Sequence, residues 1–192
     1  MSTIYISGPM SGIEGFNFPA FNAAAALWRE AGWTVLNPAE NAEGSTERAF
    51  SHYIRIDLGH LLQSDAIAML PGWEYSRGAC LEARCANALA LEFYDAITFE
   101  PITYQETILD EAQRLVYGKR GRDYGHPKDD WTRVGRMWGA MLGIPDIPPA
   151  KAALMMTAVK ISRECNRHKR DSLVDIAGYA QVVDIIEEGN NE

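Results

Sequence analysis

Apolar positions change rhythm along this chain. Over the first hundred residues they gather in short blocks between helical stretches, and beyond residue 101 only a 3.6-residue period remains. Thr3-Ile4-Tyr5-Ile6-Ser7 is a compact apolar run stopped by Gly8-Pro9, which predicts a buried strand. Residues 18–31 are alanine-rich and halt at Gly32, the pattern of a helix with a glycine behind its C-terminus. Trp33-Thr34-Val35-Leu36 predicts a second strand, closed by Asn37-Pro38. Residues 47–63 predict a helix with Ile54, Leu58, Leu61 and Leu62 on one side. Residues 66–70 predict strand three, 78–91 a third helix and 96–99 strand four. Strands alternating with helices imply right-handed crossovers and a parallel sheet covered on both faces.

After Glu100-Pro101 the strand-like blocks stop. Four helices are predicted, at about 104–117, 129–142, 149–167 and 172–187, joined by short connections that suit an antiparallel bundle. Between the first two, residues 118–127 are too glycine-rich and polar for a helix. The expected architecture is an α/β domain with a flavodoxin-like parallel sheet at 1–101, followed by an all-α antiparallel helical bundle at 102–192. Met137, Met141, Met155 and Met156 read as core packing of that bundle.

Composition narrows the function classes. The 192 residues are 47% apolar, which excludes a disordered chain. No apolar run approaches the roughly 20 residues of a membrane span. The N-terminus enters a strand at once and shows no leader pattern. Cys80, Cys85 and Cys165 lack metal-ligand spacing and cannot all pair, which suits a reducing cytoplasm. The formal net charge of −8 argues against nucleic-acid polymers as partners. That charge is uneven: residues 1–100 hold 5 basic and 12 acidic side chains, whereas 119–170 hold 12 and 5. A small phosphorylated ligand therefore stays open.

An open parallel sheet binds ligands beyond the carboxyl ends of its strands, where the strand order reverses. The end of strand one offers Tyr5, Ser7, Gly8, Pro9 and Met10, and the end of strand three offers Trp73, Ser76, Arg77 and Gly78. The second of these loops enters a helix, so free N–H groups and the helix dipole point at a ligand there. Ser76, with Arg77 beside it, would make a phosphate seat, and Glu82 follows early in the same helix. Trp73 and Tyr75 either stack on a base or fill an interface. By themselves these residues also have plain structural roles: Glu82 and Asp57 as solvated helix residues, Ser76 as a helix cap, Tyr5 as core.

Ile4-Tyr5-Ile6-Ser7-Gly8-Pro9, Asp57 eight residues before Asp65, and Ser76 six residues before Glu82 together resemble the nucleoside 2-deoxyribosyltransferases. The 2′-deoxynucleoside 5′-phosphate N-hydrolases of that superfamily are closer still. The resemblance covers about residues 3–100. It implies that Glu82 attacks the anomeric carbon of a deoxyriboside, that Tyr5 positions Glu82, and that Asp57 contacts the base or assists its departure. It further implies a site completed by a neighbouring subunit, hence a homo-oligomer, and no cofactor. At the position of Ser76, transferases acting on free nucleosides tend to carry Asp and monophosphate hydrolases Ser, which a phosphate prefers. The chemistry is coherent in itself: a carboxylate beside the anomeric carbon stabilises an oxocarbenium-like transition state, or bonds to it, while an acid protonates the leaving base.

In the helical half, Asp171 and Asp175 lie four apart on one helix face, and Glu106, Asp110 and Glu111 form a second acidic cluster. Carboxylates facing across a bundle hold divalent metals, and Mg²⁺ takes carboxylates with phosphate oxygens and water. Asp171, Asp175 and Glu111 are the candidate ligands, and Lys160 and Arg163 the candidate phosphate contacts. The plain alternative is a set of surface ion pairs between Lys160–Arg170 and the two aspartates. The run from Asp171 to Tyr179 weakly resembles the MazG-like and dUTPase-like NTP pyrophosphohydrolases, although its D-x-x-x-D spacing differs from their E-x-x-E and E-x-x-D motifs. The segment from Tyr124 to Pro127, with Trp131, also resembles a helical domain of phage-encoded proteins.

The leading expectation is a nucleotide-processing enzyme. It would cleave or transfer the N-glycosidic bond of a (deoxy)nucleoside 5′-monophosphate, with the helical half removing pyrophosphate from an NTP. The competing expectations are a non-catalytic binder of a signalling nucleotide, and a Mg²⁺-dependent pyrophosphohydrolase active only in the helical half.

Overall fold

A computed structural model describes residues 2–44, 49–118 and 125–188. The chain divides into two compact units, Met1–Gln105 and Glu106–Glu192.

The first unit is built on four parallel strands: β1 (Thr3–Ser7), β2 (Thr34–Leu36), β3 (Ala66–Met69) and β4 (Glu92–Asp95), in the order β2-β1-β3-β4. Strand order reverses between β1 and β3, where Tyr5 stands opposite Ile67 and Ser7 opposite Met69. Period-two alternation then sorts the side chains although all are buried. Ile4, Ile6, Ala66 and Ala68 pack against Phe21, Ala24, Ala25 and Trp28 of helix α1 (Phe18–Glu30). Tyr5, Ile67 and Met69 point the other way, to Leu61 of α2 (Phe50–Leu61) and to Ala83 and Ala86 of α3 (Arg77–Ala88). Tyr5 and Ser7 thus share the face covered by α3. At the β1 end, a Cβ on Gly8 would lie 2.7 Å from Leu70 Cβ, so glycine is what lets the two strand ends meet.

The expected fourth strand at 96–99 is a turn, and the strand lies four residues earlier, at Glu92–Asp95. Asp95 Oδ1 accepts the N–H groups of Ile97 and Thr98 at 2.9 and 2.8 Å, and Phe99 adopts φ 64°. The chain then doubles back, with Ile102 N–H donating to Phe93 O at 2.9 Å and Tyr104 stacking on Phe93. Residues 102–105 therefore belong to this unit, and Tyr104 does not begin a helix. Leu62, grouped with the apolar side of α2 from the sequence, is 69% exposed, because the helix ends at Leu61.

Among the described residues, the second unit contains α4 (Ile108–Tyr117), α5 (Pro127–Leu142), α6 (Pro149–Asn166) and α7 (Arg170–Glu188), with α7 packed against the other three. Thr107 caps α4 by accepting from Asp110 N–H at 3.2 Å, and His126 caps α5 by accepting from Lys128 N–H. Proline opens α5 and α6 at positions where its missing donor costs nothing. Its buried residues include Ala112, Ala150, Ala152 and Ala153 beside Ile147, Val174 and Ile186. Met137, Met141 and Met155 are exposed, contrary to the core role expected of them; the buried positions go to Ala, Gly, Ile and Val residues instead. No helix among the described residues is long and apolar enough to cross a membrane.

Candidate active site

Glu82 sits one turn into α3 and is only 6% exposed. Ser76 sets that helix by capping it, its Oγ accepting from Ala79 N–H at 3.4 Å. Strand β1 reaches Glu82 from below: Tyr5 donates its hydroxyl to Oε1 at 3.0 Å, and Ser7 donates to Oε2 at 2.5 Å. Both carboxylate oxygens are therefore held by neutral donors on a rigid central strand. Above Glu82 opens a cavity of about 250 Å³, walled by Phe16, Phe18, Phe50 and Tyr53 and reached by Asp57 and Ser76.

Electrostatics follow from burial. Glu82 is raised to about 7, first by desolvation and also by the charge of Asp57, against the opposing pull of the Ser7 and Tyr5 hydrogen bonds. Asp57 on α2 is raised to about 6, first by burial, while an Asn41 hydrogen bond at 3.0 Å and nearby His60 favour its charge. The Tyr5 hydroxyl is driven well above the ordinary tyrosine range by burial and by the charges of Glu82 and Asp57, so it stays a donor. Two raised carboxyls facing one cavity are the arrangement that acid–base and nucleophilic chemistry uses near neutral pH.

The structure brings Glu82, Asp57, Gly8, Ser76 and Gly78 to the cavity, with Tyr5 directly behind Glu82. It does not bring Trp73, which packs in the cluster of Tyr5, Phe93 and Tyr104. Tyr75 is 94% exposed. Pro9 contributes its carbonyl to Asn17 Nδ2 at 2.9 Å rather than a wall of the cavity. Arg77 is not part of the lining either, and its guanidinium lies 4.9 Å from the centre of the ring of Phe50, which is.

Ser7 has no mark in the sequence beyond its place at the strand end. That place is the signal: two residues after Tyr5, hence on the same strand face. Asn41 and the segment before α1 had no such signal. Gly15, Phe16 and Asn17 adopt φ of 60°, 54° and 60°, and this left-handed run, tied to Pro9, carries Phe16 to the cavity. Two non-glycine residues in that region cost about 1–2 kcal/mol each.

In the helical unit the candidate metal ligands meet cations. Lys160 hydrogen-bonds Asp175, with Lys160 at 12% and Asp175 at 7% exposure, and lies 3.9 Å from the exposed Asp171. Glu111 is paired with Arg170, which also donates to Glu106 O. As placed, the three carboxylates pair with Lys160 and Arg170, and among the described residues no three potential ligands group as a metal site. The proposed phosphate contact Lys160 is thus a buried ion-pair partner, while Arg163 is exposed on α6. Lys119, Arg120, Arg122 and Tyr124 lie outside the described residues.

Residues 2–95 match a family described as Domain of unknown function (DUF4406), and residues 107–187 one described as Domain of unknown function (DUF6378). The chain is similar to the Gene 55 protein of Mycobacterium phage L5, 38% identical over 79 residues, covering 41% of this chain and 51% of that protein. It is also 38% identical over 84 residues to the Gene 55 protein of Mycobacterium phage D29, covering 43% and 55%. The chain spans about half the length of these curated relatives. No solved structure matches it.

Proposed function

We propose that the α/β unit cleaves the N-glycosidic bond of a (deoxy)nucleoside 5′-monophosphate. The observation that carries this reading is Glu82: a carboxylate buried at a cavity floor, fixed through both oxygens by Tyr5 and Ser7, with a second raised carboxyl, Asp57, on the same cavity. The resemblance of residues 3–100 to deoxyribosyltransferases and monophosphate N-hydrolases supports the same assignment.

In the proposed reaction Glu82 attacks C1′ of the sugar. The C1′–N bond breaks with its electron pair going to the base nitrogen, which takes the proton of Asp57. Asp57, now ionised, deprotonates water, whose oxygen attacks C1′ and releases the sugar phosphate from Glu82; a second base in place of water would give transfer. Tyr5 and Ser7 hold Glu82 through both steps. Phe16, Phe50 and Tyr53 supply flat apolar surface for a base, worth roughly 1–3 kcal/mol per stacked ring. Ser76 and the start of α3 face the 5′-phosphate, with Arg77 the cation beside Ser76. The protein would act as a homo-oligomer on a small nucleotide and need no cofactor in this unit. No step is assigned to Mg²⁺ in the helical unit, whose candidate ligands are taken up by Lys160 and Arg170.

The test is chromatographic release of free base from each deoxynucleoside monophosphate and nucleoside. Wild type is expected to release base, and Glu82→Ala to fall to background. Pyrophosphate release that survives Glu82→Ala and is lost in Asp171→Ala would assign activity to the helical unit instead.

A further inference from the structure

Asp57 handles the proton in the proposed reaction, yet a carboxylic acid can carry its proton on either oxygen. Asn41 tells the two apart. It belongs to the 3-10 turn Pro38–Gly44 that follows β2. Its Nδ2 lies 3.0 Å from Asp57 Oδ1 and 3.4 Å from His60 Nδ1. Asp57 and His60 stand three apart on α2, so they share a helix face and one amide group reaches both.

The turn is tied down beside Asn41. Arg29 of α1 donates to both carboxylate oxygens of Glu40 at 2.8 Å. Asn37, buried at the start of the turn, donates to Asn22 at 2.9 Å and to Glu40 at 3.2 Å, and accepts from Ala39 N–H at 3.0 Å. Asn41 therefore leaves a backbone that is already held.

An ionised carboxylate only accepts, so Asn41 turns its nitrogen and not its oxygen toward Asp57. The same nitrogen offers its second N–H to His60, which accepts on Nδ1 and carries its ring proton on Nε2. Turning the amide over would set its oxygen against two acceptors, so His60 keeps the donor side in place. With Oδ1 taken by a donor, the proton of the acid form goes to Oδ2. The bond suits both states of Asp57: Oδ1 accepts as the carbonyl oxygen of the acid, and more strongly as part of the carboxylate.

We infer that Asn41, set by His60, is a positioning residue for Asp57: it assigns the transferable proton to Oδ2 and holds that oxygen in place as Asp57 passes from acid to base. The inference rests on the glycosidic reading of the cavity that Asn41 and Asp57 both line.

One readout of the test needs no turnover. In the full chain the Asp57 side-chain carboxyl is followed by ¹³C NMR through a pH titration, its signal identified by its loss in Asp57→Asn. Asn41→Leu is expected to raise the midpoint from about 6 by about one unit, since the lost bond favours the charged form. Glu82 of α3 and Tyr5 of β1, which feel the charge of Asp57, are untouched by this change. The midpoint should also lie higher in His60→Phe than in His60→Asn: both lose the ring's charge, and only asparagine keeps an acceptor where Nδ1 stood. On whichever monophosphate the wild type cleaves, Asn41→Leu should lower kcat about tenfold or more, with KM within about twofold. Should that variant fail to fold, Asn41→Ala carries the same expectations. An unmoved or lowered midpoint, equal midpoints in the two His60 variants, or an unchanged kcat would each overturn the inference. No base release from the wild type, with the midpoints shifted as expected, would count against the glycosidic reading and for the hold of Asn41 on Asp57.

Discussion

Glu82 concentrates the argument at the scale of single residues. The proposed reaction needs Glu82 ionised and Asp57 protonated, whereas their raised values of about 7 and about 6 make that combination a minority form. The kcat/KM profile is then a bell with breaks near 6 and 7. The Ser7 hydrogen bond favours ionised Glu82. Ser7→Ala should raise Glu82 by about one pK unit, move the alkaline break upward, and lower the plateau about tenfold. A Ser7 of purely structural worth would lower the rate without moving the break. Tyr5, Asp57 and Glu82 were singled out through the resemblance of residues 3–100, since each alone also reads as a plain helix or core residue. Ser7 and Asn41 were not, because a small polar side chain gains its role only when folding brings a carboxylate 75 and 16 residues away, respectively, within reach.

Elements were legible where one local signal set them. Strand β1 ends at Gly8-Pro9, and α5 and α6 open on prolines, so these boundaries fall close to expectation. Strand β4 was misplaced because Glu92-Phe93-Tyr94-Asp95 reads as half-polar. Its strand character comes from pairing with β3, and the turn at 96–99 from the side chain of Asp95. In α7 the charge pattern suggested either a metal site or surface ion pairs, and the Lys160–Asp175 pair is instead buried. Asp175→Ala should therefore destabilise the helical unit by about 3–5 kcal/mol by stranding Lys160, while Lys160→Met with Asp175→Leu should cost far less. Urea unfolding of the single and double variants checks this; equal losses would contradict it.

At the scale of the whole molecule, net charge was the least informative feature, because the two units carry it differently. The α/β unit holds its own core on both sheet faces within Met1–Gln105, so the fragment 1–105 should fold alone and keep the site. Its pH dependence follows from Glu82. The folded form holds this proton more tightly than the unfolded chain, so stability is highest below about pH 4 with respect to this group. It falls by about 3 kcal/mol as pH rises through about 7. Asp57 acts in the same direction, whereas Glu40 and Asp95, held below the usual carboxylate range by the Arg29 side-chain hydrogen bond and by backbone N–H groups, act oppositely and only at more acid pH. Urea midpoints of the fragment should drop between pH 5 and pH 8, and Glu82→Gln should remove most of that drop. The central claim is tested most directly by incubating the full chain with the four deoxynucleoside monophosphates and their nucleosides and separating the products. Free base from at least one monophosphate, reduced to background by Glu82→Gln, is the predicted result; no base from any of them with the wild-type protein would contradict it.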